Sequence, residues 1–145
     1  MKISTKGRYA LRMLIDLAEH QNSGYIALND IATRQNISKK YLEQIVALLN
    51  RSNILITSRG FQGGYRLALS PDKYTVGYIL RITEGSLAPV ACLEHDPNPC
   101  ERQDDCVTLP VWKGLYKVIN EYLDSITLQD ILDNRRELYA NDYSI

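Results

Sequence analysis

The order of periodic segments in the first half of the chain limits the folds open to it more than any other feature. Three amphipathic helical patterns are followed by two short alternating segments around a glycine-rich turn. The predicted helices cover about residues 5–21, 28–35 and 39–52, with Thr5 and Ser38 as caps of the first and third. The predicted strands cover residues 54–58 and 65–69. Helices and a hairpin in this order are typical of a winged helix-turn-helix domain.

The third helical segment has the composition of a DNA recognition helix. Its apolar stripe is Leu42, Ile45, Val46 and Leu49, at helical spacing. The opposite face carries Lys40, Glu43, Gln44, Ala47 and Arg51. Gln can pair with adenine, Glu can accept a hydrogen bond from cytosine N4, and Lys or Arg can hold phosphate. An ordinary core helix needs only some polar face, so the neighbouring helix and hairpin favour recognition. Glu43 is the predicted discriminator between bases.

The hairpin turn pairs a cation with glycines. Arg59 begins the sequence RGFQGG, in which Gly60, Gly63 and Gly64 allow close approach of backbone to a partner. A narrow minor groove attracts an inserted arginine, and we expect this role for Arg59. The glycines are equally consistent with a simple hairpin that needs positive φ angles. A phosphate-binding P-loop is excluded, because no Gly-Lys-Ser/Thr follows and the turn joins two strands.

The neutral overall charge conceals two oppositely charged halves. Residues 1–66 hold ten basic and four acidic side chains, a net charge of +6, and the remainder has a net charge of −6. A basic first half suits a polyanionic partner, whereas chance segregation of surface charge is the plainer alternative.

The second half is predicted to be mainly helical around one irregular loop. Helices are expected at residues 75–84, stopped by Gly85, at 107–124, and at about 127–132 after a Thr127 cap, with a less ordered tail. The long helix has the stripe Val111, Leu115, Val118, Ile119 and Tyr122, with Trp112 beside it. The predicted fold class is mainly α with a small β-hairpin, divided into a winged helix-turn-helix domain (1–70), a linker helix (71–85), a cysteine loop (86–106) and a dimerisation helix with a C-terminal helix and tail (107–145).

All three cysteines of the chain lie in one polar 15-residue stretch, CLEHDPNPCERQDDC. Thiolates gathered on one loop indicate a soft metal centre or a redox reaction. An iron–sulfur cluster suits such a site, and reversible thiol oxidation is an alternative. Zinc is less favoured because the loop has no CxxC spacing, and an inert loop stays open.

Composition excludes several classes of protein. The apolar runs are too short to span a membrane and no signal-peptide pattern opens the chain, so a cytoplasmic location is expected. Two histidines without a nucleophile–base spacing or a nucleotide cradle argue against an enzyme. An electron-transfer or cluster-carrier protein would explain the cysteines but neither the basic half nor Arg59.

Four strings of the sequence resemble the Rrf2 family of bacterial transcription regulators. They are KISTKGRYALRMLIDLA, SKKYLEQ, RGFQGGY and the later CERQDDCVTLPVW with SITLQDIL, so the resemblance covers about residues 1–132. Within the family the chain is most similar to the iron–sulfur cluster regulators (IscR-like), because the loop thiols are present.

The resemblance implies a homodimer that binds a palindromic operator in double-stranded DNA, with the long helix packed against its mate. It places Ser38, Lys40, Tyr41, Glu43 and Gln44 on the recognition helix and its cap, and Arg59 on the wing. It also implies that Cys92, Cys100 and Cys106 ligate the cluster, with 2Fe–2S ahead of 4Fe–4S.

Two departures from the family pattern concern the cluster. The spacer between Cys92 and Cys100 is longer, and Leu109 occupies the position of the expected fourth ligand, a histidine. Other sources of that ligand are a carboxylate of the second subunit, a small exogenous molecule, or a loop side chain: Glu94, His95, Asp96, Asp104 or Asp105. The alternative is a cluster-free Rrf2 regulator controlled by thiol oxidation or by a metabolic enzyme partner.

Overall fold

Helices dominate the chain, and the strands form a single hairpin. The computed structural model describes residues 1–143, in which six α-helices and two strands occur. These elements are α1 Thr5–Glu19, α2 Leu28–Gln35, α3 Lys39–Arg51, β1 Leu55–Ser58, β2 Gly64–Leu67, α4 Val76–Glu84, α5 Leu109–Asp124 and α6 Leu128–Tyr143. The mainly α fold class with a small hairpin is confirmed.

Side-chain caps set the starts of three helices. Ser38 Oγ accepts a hydrogen bond from the Tyr41 amide at 3.1 Å, as predicted, and Thr75 caps α4 in the same way through the Tyr78 amide at 3.0 Å. The predicted Thr5 cap is wrong. Ser4 has extended backbone and accepts from the Gly7 amide at 3.1 Å, so Thr5 is the first helical residue.

The core lies between α1 and the helix-turn-helix and continues into the second half of the chain. The whole predicted stripe of α3 is buried: Leu42, Ile45, Val46 and Leu49. Ile79 of α4 and Leu128 of α6 are also fully buried in the same cluster. The domain boundary at residue 70 stays a prediction, since this core crosses it.

The hairpin is antiparallel and is tied to the helical part of the domain. Leu55 pairs with Leu67 at its open end, and Ser58 pairs with Gly64 next to the turn. Ile26, just before α2, exchanges two 2.8 Å backbone hydrogen bonds with Tyr65. The hairpin and its turn, residues 55–67, form the wing. The two bonds to Ile26 fix the turn side of the wing relative to α2.

The last two helices differ from the sequence prediction. Helix α5 begins at Leu109, two residues later than expected, and α6 continues to Tyr143 where a short helix and a less ordered tail were expected. Arg135 forms an ion pair with Glu19 of α1 and lies 5.5 Å from the Tyr139 ring centre. These contacts hold the added turns of α6. Residues 144 and 145 of the predicted tail lie outside the described residues.

Within residues 1–143, none of the helices combines the length and apolar character needed to cross a bilayer.

Candidate nucleic-acid interface and cysteine loop

Helix α3 turns its polar face to solvent because its apolar face is buried in the core. Ser38, Lys40, Glu43 and Gln44 are all exposed. Tyr41 differs, because it is half-buried and its ring packs edge-on against Tyr9 with centroids 5.7 Å apart. The exposed four are therefore free to meet a partner, and the Tyr41 ring also stabilises the contact of α3 with α1.

A groove of about 640 Å³ runs between α3, the start of α2 and the wing. Glu43 and Arg59 both line this groove, so the predicted discriminator and the predicted wing arginine share one surface. Ser38, Lys40 and Gln44 are not among the lining residues and lie on the exposed helix beside it. The fold thus brings side chains from distant parts of the sequence to one face.

The groove also contains residues that the sequence prediction missed. Lys39 and Asn50 of α3 and Asn29 of α2 line it. Residues 39, 43 and 50 are four and seven apart, the spacing of one helical face, so that periodicity could have identified Lys39 and Asn50. Asn29 has no comparable signal, because the packing of α2 against the wing decides its position.

Backbone packing makes the wing stiff. A Cβ atom at Gly64 would lie 2.2 Å from the carbonyl oxygen of Ile26, which no other residue type tolerates without movement. Gly60 has a φ of 93°, in the region that favours glycine. The glycines of the turn therefore have a structural role, and Arg59 is presented from a fixed hairpin.

A buried carboxylate holds α2 against α1. Asp16, 1% exposed, accepts hydrogen bonds from Arg34 Nη2 at 2.7 Å, Arg34 Nε at 3.0 Å and Gln35 Nε2 at 3.0 Å. Burial alone would raise the pKa of Asp16, but these hydrogen bonds and the Arg34 charge outweigh it and lower that pKa. The same pairing has the opposite effect on the cation, because the hydrogen bond to Asp16 raises the pKa of Arg34. The network fixes the first helix of the helix-turn-helix, and through it α3.

The three cysteines are spread along the loop between α4 and α5 as half-buried free thiols. Cys92 lies in a short turn, Ala91–Leu93, and the Cys100 amide donates to Asn98 Oδ1 at 2.8 Å. Cys106 Sγ lies 3.5 Å from Thr108 Oγ1. Hydrogen bonding from the Thr108 hydroxyl, with smaller contributions from backbone amides and Arg102, lowers the pKa of Cys106.

The loop does not assemble a metal site within one chain. Over residues 1–143, no three His, Cys, Asp or Glu side chains are gathered closely enough to hold a metal ion. Leu109 is buried and apolar and supplies no ligand. His95 and Asp96, two of the candidate fourth ligands, line a cleft of about 510 Å³ that faces α5. The donor set suits iron–sulfur chemistry, but residues 1–143 of the single chain do not bring three such donors together.

Polar contacts connect the end of α4, just before the cysteine loop, to the start of α1 and to α5. Glu84, the last residue of α4, accepts hydrogen bonds from the Ser4 amide at 3.0 Å and hydroxyl at 2.6 Å. One turn earlier, Arg81 donates to both carboxylate oxygens of Asp124 and to Asn120. Movement at the start of the loop would therefore shift α1, in the DNA-binding half, and α5.

The helix-turn-helix, the glycine-rich wing and the shared groove define a winged-helix DNA-binding regulator. A family model named Rrf2 and described as an iron-dependent transcriptional regulator matches residues 3–134. The chain therefore belongs to the Rrf2 family. Rrf2 winged-helix regulators bind DNA and are generally dimeric.

Similar proteins include two kinds of regulator. The chain is 40% identical over 142 residues to the HTH-type transcriptional regulator CymR of Bacillus subtilis, covering 96% of this chain and 97% of that protein. The solved structure of B. subtilis CymR, the global cysteine regulator, matches with a TM-score of 0.75 at 39% identity, over 92% and 98% of the two chains. The structure of T. potens IscR matches with a TM-score of 0.76 at 40% identity, over 95% and 90%.

Proposed function

We propose that the protein is a transcriptional regulator that binds operator DNA as a homodimer and receives its signal through the cysteine loop. The observation that carries the DNA-binding part is the groove shared by Glu43 and Arg59 in the basic half of the chain. An acidic residue close to phosphates is repelled unless it accepts a hydrogen bond from a base, which favours base reading by Glu43.

The residues of the interface divide by chemistry. Glu43 and Gln44 read base edges in the major groove, while Ser38, Lys40 and the Tyr41 hydroxyl contact the phosphate backbone. Arg59 enters the adjacent minor groove from the wing. The exposure of Ser38, Lys40, Glu43 and Gln44 supports these roles.

Dimerisation through α5 brings two such surfaces to one palindromic operator. The stripe Val111, Leu115, Val118 and Tyr122 is exposed in the single chain, with Tyr122 64% exposed. A row of apolar side chains at spacing i, i+4, i+7 and i+11 is the seam of a helix pair. Packing this stripe against a second copy removes it from water and sets the distance between the two wings.

For the signal, the geometry of the loop favours chemistry of the thiols themselves. All three sulfur atoms belong to free, half-buried cysteines, and the lowered pKa of Cys106 increases its reactive thiolate form. A thiolate that attacks hydrogen peroxide breaks the O–O bond, takes one oxygen as a sulfenic acid and, with uptake of one proton, releases water. Two cellular thiols reduce the sulfenic acid back to the thiol, and they leave as a disulfide with a second water. The contacts of Glu84 and Arg81 offer a route from the loop to α1 and α5.

An iron–sulfur cluster is the second candidate signal. Three cysteines on one loop and the similarity to an IscR structure support it, and Cys92, Cys100 and Cys106 would be its ligands. Bound there, such a cluster would supply one-electron redox chemistry and oxygen lability. Control by a metabolic enzyme partner is the third candidate, supported by similarity to the global cysteine regulator of B. subtilis.

Anaerobic purification separates these candidates. Iron, sulfide and visible absorbance are measured first, and operator affinity is then measured for reduced, peroxide-treated and re-reduced protein. We expect little iron and a reversible change of affinity of about tenfold, within the range of ordinary allosteric coupling. The variant Cys106→Ser should lose that change, and Ser86→Ala in the same loop should keep it.

Other results assign the signal differently. Stoichiometric iron and sulfide would replace thiol sensing by the cluster. A colourless protein whose DNA affinity does not change on oxidation would leave a protein partner as the remaining candidate signal. Absence of salt-dependent DNA retention in every state would overturn the proposed function as a whole.

A further inference from the structure

The tip of the wing presents the only phenylalanine of the chain to solvent. Phe61 is 96% exposed. It lies in a tight turn closed by a 3.0 Å hydrogen bond from the Gly63 amide to the Gly60 carbonyl. An aromatic ring in this position adds nothing to the core of the folded chain, so its apolar surface is available to a partner.

The backbone next to Phe61 has a strained conformation. Gln62 has a φ of 63°, a left-handed conformation that favours glycine or asparagine at this place in a turn. The strand after this turn is held in place, because Gly64 packs closely against Ile26 and Tyr65 exchanges two backbone hydrogen bonds with Ile26. Single exposed apolar residues are common on proteins. A strained, rigidly supported tip is a less common setting, and strain of this kind concentrates at binding sites.

The neighbours of Phe61 point to DNA as the partner. Arg59 is two residues away and lines the groove that also contains Lys39 and Glu43. The walls of the minor groove are deoxyribose sugars, which offer C–H surface between the charged phosphates. Apolar side chains beside arginines are a recurring way of holding that groove.

We propose that Phe61 enters the minor groove beside Arg59 and packs against its sugar walls. This inference rests on the proposed function and adds a second kind of contact to it. Arg59 supplies a cationic contact that weakens with salt, whereas Phe61 supplies an apolar contact that releases no counterions. The wing would then bind DNA tightly without reading additional bases.

Salt-dependent binding measurements separate the two contributions. The operator is first selected from random duplexes with the full-length dimer, and its dissociation constant is measured from low to high salt. Phe61→Ala should bind about tenfold more weakly with an unchanged salt slope, a loss of about 1.4 kcal/mol. Phe61→Leu should recover most of the affinity. Arg59→Ala should bind more weakly and lower the slope by about one.

Leu69→Ala is the matched control. Leu69 is another exposed apolar residue of the same domain, beyond the open end of the hairpin, and its removal should leave affinity unchanged. Because the Phe61 side chain is exposed, Phe61→Ala should keep the thermal unfolding midpoint of the wild type.

Two outcomes overturn the inference alone: equal operator affinity of Phe61→Ala and wild type, or a loss accompanied by a reduced salt slope. If the wild-type dimer shows no salt-dependent binding to any duplex, both this inference and the proposed function are wrong.

Discussion

At the scale of single residues, Glu43 and Asp16 show two different uses of a carboxylate in the DNA-binding half. Glu43 is exposed on the groove, where a negative charge opposes phosphate binding in general. Asp16 is buried and accepts hydrogen bonds from Arg34 and Gln35. The first is expected to govern specificity and the second stability.

Replacement of Glu43 by alanine should relax specificity more than it weakens binding. We expect discrimination at one base pair of each half-site to fall by about 1–3 kcal/mol, because the hydrogen bond to a base edge is lost. Competition binding with operators mutated at each position measures this change. Lys40→Ala is the control and should weaken binding to all sequences alike. Uniform weakening by Glu43→Ala would assign it a structural role instead.

Replacement of Asp16 by asparagine should cost stability that depends on pH. The pKa of Asp16 is lowered in the folded chain, so its ionised form stabilises the fold above the unfolded pKa of about 4. This stabilisation is lost as pH falls through the lower, folded pKa. We expect Asp16→Asn to lower the free energy of unfolding by about 1–3 kcal/mol at pH 7.

Urea denaturation at pH 7 and pH 3, at one fixed protein concentration, provides the measurement. The difference in unfolding free energy between Asp16→Asn and wild type should narrow at pH 3, because this is below the unfolded pKa of about 4, so the unfolded wild-type chain takes up a proton at Asp16 that the folded chain resists. Glu137→Gln, at an exposed position of α6, should have the same free energy of unfolding as wild type at both pH values. A gap that is constant with pH would mean that packing, and not charge, explains the loss.

At the scale of elements, the wing depends on close backbone contact with the segment before α2. Gly64→Ala should lower the free energy of unfolding by about 1–3 kcal/mol through overpacking against Ile26. It should also weaken operator binding, because the wing must shift to make room. Chemical denaturation and DNA titration test both effects.

Thr57→Val is the control for the stability effect of Gly64→Ala, since Thr57 is an exposed position of the same hairpin. Its effect on stability should stay within about 0.5 kcal/mol. If Gly64→Ala proved as stable as wild type and bound DNA as tightly, the close contact with Ile26 would not support the wing.

At the scale of the whole molecule, the exposed stripe of α5 is expected to hold the dimer together. Val118→Glu places a charge on this stripe and should raise the dimer dissociation constant by about 100-fold or more, about 2.8 kcal/mol. Operator affinity should fall with it, since a monomer reaches only one half-site.

Sedimentation velocity across a concentration series measures the change in assembly caused by Val118→Glu. Lys113→Glu changes charge on a different face of the same helix and should leave the dimer intact. An unchanged dimer in Val118→Glu would require another interface, and the distance between the two wings would then have a different origin.

Local sequence patterns were enough to predict most of the local structure. Periodicity and caps predicted α2, α3 and α4 closely, because a buried stripe and a capping hydroxyl are properties of a few neighbouring residues. The same local patterns identified the hairpin and the exposed side chains of α3. The Thr5 cap was misplaced by one residue, since two adjacent hydroxyls compete for that role and only backbone geometry separates them.

The way in which distant residues meet depends on the packing of whole elements. That packing brought Asn29 to the groove with Arg59, Leu128 to the core of the winged domain, and Glu84 to the start of α1. It also extended α6, through a contact between Arg135 and Glu19 that spans most of the sequence. Contacts between residues far apart in sequence depend on how whole elements pack, and no local periodicity records that packing. For the same reason, three cysteines on one loop predict a shared centre without setting the positions of their sulfur atoms, and within residues 1–143 the single chain forms no group of three metal-ligating side chains.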